Sequence, residues 1–282
     1  MSYTIPQPPK ADPDIPIPPD FLTGPPPGPI NAVPIPFASS PIPEYQGRTA
    51  LTIDNVLSRE ECAQLIALAE SSVAQGAADD PDSDSSSPWK PALVRVAPGV
   101  EVAPSPGYRE SGRIVCFSQE VVDRVWKRCV LAEGLAEQMA VVQEQQQRGS
   151  KVRLGEWRFR RVNNRMSFLR YEKGQYFKPH CDGPYYYDVG KTEFQTHYTL
   201  QLYLNDSAEA SGGTGEELVG GATAFLSRDK KRRVNVNPKA GGVLIFQHEG
   251  LLHEGAEVKA GVKYTMRTDI LYEWVLDAPA RK

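Results

Sequence analysis

The sequence predicts an α+β chain in which helices come first and a β-rich half follows. Two stretches carry the helical part, "SREECAQLIALAESS" and the run after Ser118, both with apolar residues at helical spacing. From about residue 165 the period shortens. "RMSFLRY", "YTLQLYLN", "GVLIFQH" and "VKYTMRTDILYEW" are short runs rich in Tyr, Phe, Val, Leu and Ile, and several alternate. Turn segments such as "GGTGEELVGG" and "NPKAGG" separate them. Such a second half closes as a sandwich or barrel, and a jelly roll is one of the few all-β solutions of that size.

Residues 1–44 hold fifteen of the 25 prolines. Proline removes backbone donors and favours an extended path, so this segment reads as an arm with no packed unit of its own. Lying along its own domain is its first reading, and a PxxP ligand for another protein is the alternative. The first helix opens with a capping box, Ser58 to Glu61, and sets Cys62, Leu65, Ile66 and Ala69 on one stripe. "DDPDSDSSSP" at 79–88 reads as a mobile acidic loop; it lacks the glycine and distal glutamate of an EF-hand. The second helix places Val121, Val122, Val125, Trp126 and Cys129 at similar spacing, and "VVQEQQQRGS" is expected to extend a helix and then end in a loop. The expected organisation is an arm over 1–44, a helical support region over 45–160 and a jelly-roll core over 161–276.

A chain of 282 residues with 40% hydrophobic residues can build a sizeable core. Its net charge of -3 gives no general pull toward nucleic acid or an anionic membrane, and neither is expected as a partner. The four cysteines show no CxxC spacing, so neither a zinc site nor a disulfide framework is indicated. The N-terminal residues lack a secretory apolar region, and no run approaches the ~20 apolar residues of a membrane span, so a soluble cytoplasmic chain is expected.

The chemistry concentrates in "QYFKPHCDGPYYYD". On an extended chain His180 and Asp182 project to one side and Cys181 to the other. Two histidines and one carboxylate on one face of a metal form the triad of non-heme Fe(II) oxygenases, which leaves open positions for chemistry. The remaining histidines are His197, His248 and His253. His197 reads as a strand histidine with an ordinary hydrogen bond. Spacing favours His253 as the third ligand, with His248, in a near-duplicate "HEG", as its rival.

The order His180-x-Asp182, His253 and then Lys263 ten residues later resembles the iron(II)- and 2-oxoglutarate-dependent dioxygenases, and within them the prolyl 4-hydroxylase-like branch. "RYEKGQYFKPHCD", "LYLND", "GGATAF" and "VNPKAGGVLIF" resemble that branch's motifs in the same order, and "ESGRIVCFSQEVVDRVWKR" and "VNNRMSFLRY" resemble upstream elements of a microbial and fungal subgroup. The likeness spans roughly residues 50–274 and favours His253 over His248.

The resemblance implies a double-stranded β-helix core with N-terminal supporting helices. It implies Fe(II) on His180, Asp182 and His253, with 2-oxoglutarate and O2 as cosubstrates and ascorbate as an accessory reductant. The far carboxylate of 2-oxoglutarate is expected on Lys263 or on Arg267, which shares its strand face, with Tyr203, Thr223 and Tyr171 in the same pocket. Pairing with Asp269 is the competing role for Arg267. The reaction implied is oxidation, chiefly hydroxylation, of an unactivated C–H bond in an amino acid-like, peptidyl or small natural-product substrate, with release of succinate and CO2. Asp182 argues against a halogenase, whose site leaves that position empty for chloride. Arg165, Arg113 and Tyr185 are the substrate-contacting candidates, although "WRFRRVNNR" also reads as a solvated charged face. The alternative function is a non-enzymatic jelly-roll scaffold with a relic metal pocket and a partner-binding arm. The intact triad and Lys263 favour the enzyme.

Overall fold

Two antiparallel sheets face one another across the second half of the chain, and strand alternation decides what lies between them. The computed structural model describes residues 17–77, 87–97, 100–143, 146–148, 151–153, 155–213 and 218–276. The large sheet runs in the order Ala32–Pro34, Ala50–Ile53, Val243–Gln247, Thr192–Tyr203, Lys263–Leu276, Arg165–Tyr171, Gly112–Phe117 and Lys90–Pro91. Gly155–Val162 pairs with Lys263–Leu276 as well. The small sheet holds Phe177–His180, His253–Gly255, Thr223–Leu226 and Arg233–Val236 in that order. This is the jelly-roll core the sequence predicts.

The period-2 rule sorts the large sheet cleanly. Met166, Phe168, Leu200, Leu202, Val243, Ile245, Met266 and Ile270 enter one apolar core. Their neighbours Ser167, Leu169, Tyr171, Gln201, Phe246, Lys263, Thr265 and Arg267 turn to the opposite face and line a cavity. Two helices cover the apolar face. Arg59–Ala77 is capped as expected: Ser58 Oγ accepts from the Glu61 amide at 3.1 Å, and a Glu61 carboxylate oxygen accepts from the Ser58 amide at 2.8 Å. Cys62, Leu65 and Ala69 bury into the core, with Ile66 packed at its edge. Gln119–Cys129 starts from Ser118, which accepts from the Val121 amide at 3.2 Å, and buries Val121, Val122, Val125 and Cys129. Burial pushes the thiols of Cys62, Cys116 and Cys129 up to about 12, so they behave as small apolar groups.

Three features depart from the sequence reading. Residues 45–160 are more than helical support, because Ala50–Ile53 and Gly112–Phe117 are strands of the large sheet. The described part of the Gln-rich tract does not extend a helix: Leu135–Ala140 ends, and Val141–Gln143 pairs with Gly155–Val162, placing Val142 beside Trp157. The β-branched pair favours a strand once a neighbour supplies the ladder. Among the described residues His197 Nε2 has no hydrogen-bond partner; its ring packs 5.3 Å from those of both Trp157 and Tyr272 at a β-bulge.

Of the proline-rich arm, residues from 17 onward are described. Ala32–Pro34 pairs with Ala50–Ile53, and Phe21, Phe37 and Ile42 are buried. The acidic stretch at 79–88 lies outside the described residues except for its last two positions. No helix among the described residues is long and apolar enough to cross a membrane.

Candidate active site

His180 ends the strand Phe177–His180 and lies directly opposite His253, the first residue of His253–Gly255. Asp182 follows just beyond the strand, and Cys181 between them is exposed. One ligand atom from each of His180, Asp182 and His253 lies within 4.8 Å of the others. His180 Nδ1 stands 2.8 Å from the Lys178 carbonyl, and His253 Nδ1 stands 3.0 Å from the Leu251 carbonyl. A carbonyl oxygen only accepts, so each Nδ1 carries the proton and each Nε2 presents a lone pair. Burial, and then the neighbouring His253, drives the pKa of His180 down to about 3. Burial lowers that of His253 too, with Asp182 opposing. Both rings are therefore neutral near pH 7, the form that binds a metal. This donor set fits a divalent iron, and it is the sole such group found among the described residues.

Asp182 is held from the large sheet. Its Oδ2 accepts from Thr199 Oγ1 at 2.6 Å and from Arg267 Nη2 at 3.0 Å. Burial works to raise its pKa, but the Arg267 guanidinium and the two rings overcome it, keeping the carboxyl ionised well below its usual range. Arg267 also lies 3.2 Å from Asp269, whose Oδ1 is 3.5 Å from His248 Nε2. Burial works against ionised Asp269, yet Arg267 brings its pKa to about 2. Arg267 thus sits between two carboxylates and faces Asp182, while His248 stands behind Asp269, outside the three-residue group.

Lys263 begins the long strand and lies opposite Tyr171. It is buried, and among the described residues no carboxylate pairs with it. Its Nζ stands 5.4 Å from the Tyr171 ring centroid and 5.9 Å from that of Tyr203. Burial alone pulls its pKa to about 7. Nearby, the Tyr203 hydroxyl donates to Thr223 Oγ1 at 2.9 Å and Gln201 Nε2 donates to the same oxygen at 2.8 Å. Burial raises the pKa of Tyr203, so its hydroxyl stays neutral.

One cavity joins these groups: Lys263, Tyr171 and Thr223 line it together with His180, Asp182 and His253. The substrate candidates separate. Arg113 and Arg165 line the same cavity and converge on Glu101. Tyr185 lies in an adjoining hollow that shares Arg95, Phe177, His180 and Asp182, and its ring packs under the Arg95 guanidinium. The rest of the basic run points elsewhere: Arg158 pairs with Glu156, Arg160 with Glu273, and Arg161 with Gln119.

Sequence reasoning missed Thr199, Gln201, Glu101 and Arg109. The first two were within reach, since "YTLQLYLN" alternates Thr199, Gln201 and Tyr203 on one face. Glu101 and Arg109 come from segments with no periodic signal.

The fold and donor set together describe a jelly roll with one candidate site for a single divalent metal among the described residues. Residues 166–268 match the profile of the 2OG-Fe(II) oxygenase superfamily. The matched segment, a little over a third of the chain, contains His180, Asp182, His253 and Lys263, and the superfamily it resembles is one of Fe(II)- and 2-oxoglutarate-dependent oxygenases. Among solved structures it is similar to a viral collagen prolyl hydroxylase from Paramecium Bursaria Chlorella virus-1, with 19% identity and a TM-score of 0.45 over 80% of this chain and 97% of that one. It is similar to a Pseudomonas putida prolyl-4-hydroxylase, with 13% identity and a TM-score of 0.46 over 83% and 98% of the two chains. A Trichoplax adhaerens prolyl hydroxylase in complex with a hypoxia inducible factor peptide shares 15% identity, with a TM-score of 0.45 over 82% and 86%. No curated protein matches the chain.

Proposed function

We propose that His180, Asp182 and His253 hold the iron and that Lys263 receives the far carboxylate of 2-oxoglutarate. On this reading the chain, a member of the prolyl 4-hydroxylase-like branch, hydroxylates an unactivated C–H bond of an amino acid-like, peptidyl or small natural-product substrate. The observation that carries the reading is the tautomer lock. Two Nδ1 protons are tied to the chain's own carbonyls, which leaves two neutral Nε2 lone pairs beside an ionised carboxylate. Bound there, Fe(II) and 2-oxoglutarate would supply O2 activation, driven by decarboxylation to succinate and CO2; ascorbate would serve as accessory reductant.

Each neighbouring residue then has a task. Thr199 and Arg267 fix one oxygen of Asp182 and so orient the other. That contact favours Arg267 as a positioning residue for the metal ligand over a role in gripping 2-oxoglutarate. Among the described residues Lys263 is a buried amine with no anionic partner, and Tyr171, Tyr203 and Thr223 surround the place where one would bind. Phe177 stacks 3.7 Å from the His180 ring and Phe246 lies 4.7 Å from that of His253, keeping water from the metal's protein side. Residues 161–276 form the catalytic core on this reading, with 45–160 supporting it.

The test is anaerobic addition of Fe(II) and then 2-oxoglutarate to the full chain, watching for the visible metal-to-ligand charge-transfer band. The band should form in the wild type and in His248→Ala, and be absent in His180→Ala, Asp182→Ala and His253→Ala. A band retained in His253→Ala would show that another residue is the third ligand.

A further inference from the structure

Three guanidinium groups converge on one side of the cavity, two of them on a single carboxylate. Arg113 and Arg165 both donate to Glu101 Oε1, at 3.2 and 2.9 Å, and Arg113 reaches Oε2 at 2.5 Å. Arg109 and Arg113 both donate to the Leu93 carbonyl, at 3.2 and 3.5 Å. The three groups therefore form a continuous chain, linked through one carbonyl oxygen and one carboxylate oxygen. Arg109 has no carboxylate partner among the described residues; it also contacts Ser111 Oγ at 3.2 Å and the Tyr171 side chain. Glu254, the next acid on the cavity wall, is taken by Arg233 at 2.9 Å. With Arg95, which lines the same cavity and acts on Glu101 and Arg165, four positive charges face Glu101 in a partly buried place, and Asp269 acts on Arg165 as the other nearby anion. Burial and mutual repulsion depress the pKa of Arg109 and of Arg165, while Glu101 is held ionised below its usual range by the arginines despite its burial.

Its position also matters. The Arg109 guanidinium lies 4.5 Å from the centroid of Phe177, and that ring stacks on His180. Arg165 is six residues from Tyr171 along one strand, roughly 20 Å at the rise of an extended chain, so it lies far from the Lys263 end. Arg165 is thus separate from the place assigned to the cosubstrate carboxylate, while Arg109 adjoins both Tyr171 and, through Phe177, the His180 ring.

We propose that Arg109, Arg113 and Arg165 form a subsite for a carboxylate of the substrate, so that the molecule oxidised is a carboxylate-bearing one. Glu101 supplies one anion to the cluster and the substrate supplies the second. Planar guanidinium forks read a carboxylate in pairs, which sets its direction as well as its charge. The proposal rests on the oxygenase reading of the same cavity, because that reading makes this end the substrate end.

The test titrates benzoate, with benzamide as its uncharged counterpart, into the full chain loaded with Zn(II) and saturated with 2-oxoglutarate, by calorimetry. Saturation keeps the probe out of the cosubstrate place, and zinc prevents turnover. Benzoate should bind at one site and benzamide at least tenfold more weakly. Glu101→Gln should tighten benzoate about tenfold by removing the competing charge. Adding Arg165→Gln to that variant should reverse the gain, and thermal unfolding of each variant checks that it is folded. Equal binding of benzoate and benzamide, or benzoate affinity indifferent to Glu101→Gln, would overturn the subsite and leave the cluster as a strut for its hairpin. If the charge-transfer band with Fe(II) fails to form, the cofactor reading fails by itself, and benzoate added to the metal-free chain still decides the cluster.

Discussion

Replacing Lys263 with methionine probes the floor of the cavity. The ammonium is buried against two aromatic rings, and burial lowers its pKa from 10.5 to about 7. That difference, at ~1.36 kcal/mol per unit, is on the order of 5 kcal/mol against the folded state. The sign follows from proton counting. Below about pH 7 the folded and unfolded chains both hold the proton, and the folded one bears the whole desolvation cost. Between about 7 and 10.5 the unfolded chain holds a proton that the folded chain has lost, so stability rises with pH across that window. Methionine fills similar space without charge. In the metal-free chain, Lys263→Met should therefore be more stable than wild type by several kcal/mol at about pH 7, with the two converging near pH 10. Urea unfolding of both chains across that range measures the difference, and subtraction cancels the buried thiols and other shared groups. Adding 2-oxoglutarate should invert the ranking, because its carboxylate gives the ammonium a counter-ion. Binding to wild type should take up a proton above about pH 7, visible by calorimetry in buffers of different ionisation enthalpy. A variant less stable than wild type near pH 7, with the same pH slope, would refute the reasoning. The ammonium would then already have a partner, and the cavity floor would not be built to receive an anion.

Three further outcomes follow from the same geometry. Arg267→Met leaves Asp182 and Asp269 buried without their shared cation, and should cost about 3–5 kcal/mol of stability and 10–100-fold in Fe(II) affinity. Metal titration set beside 2-oxoglutarate titration decides the role: a loss confined to 2-oxoglutarate would return the guanidinium to the cosubstrate. Thr199→Val removes the 2.6 Å hydrogen bond to Asp182 and should weaken Fe(II) about tenfold while leaving 2-oxoglutarate affinity of the metal-loaded chain nearly unchanged. Gly241→Ala should lower the melting temperature sharply, because Gly241 has φ +74 and a Cβ there would lie 1.8 Å from the Leu57 carbonyl oxygen. A near-wild-type melting curve would mean that the loop carrying Leu57 yields freely.

Local patterns were legible in the sequence where chemistry and spacing coincide. The Ser58–Glu61 capping box, the apolar stripe from Cys62 to Ala69 and the alternation of "YTLQLYLN" each follow from one element's own geometry, and each appears as expected. The grouping of His180, Asp182 and His253 was approachable for the same reason, since the short spacing and the ordered downstream motifs narrow the choice. Pairings across elements were not legible. Nothing local to Arg267 says that its nitrogen meets Asp182, nor that Arg113 and Arg165, far apart in sequence, close on Glu101. Val141–Gln143 reads as helix from its glutamine-rich neighbourhood, and it becomes a strand because Gly155–Val162 offers an edge. Charge partners and edge strands are properties of the assembled sheet, and a one-dimensional pattern carries neither.

The strand Lys263–Leu276 runs through the middle of the large sheet, laddered to Arg165–Tyr171, Gly155–Val162 and Thr192–Tyr203. It therefore acts as a measuring rod. Lys263 and Arg267 are four residues apart on one straight backbone, about 13 Å at the rise of an extended strand, and neighbours on both sides forbid it to stretch. The gap between Lys263 and the guanidinium that holds Asp182 is thus set by counting residues. A single residue inserted between them would turn Arg267 and Asp269 into the apolar core and bring Met266 and Ile270 to the cavity wall. Hairpins and arms around such a rod can lengthen or change composition freely, while the rod itself tolerates substitution but no change of length.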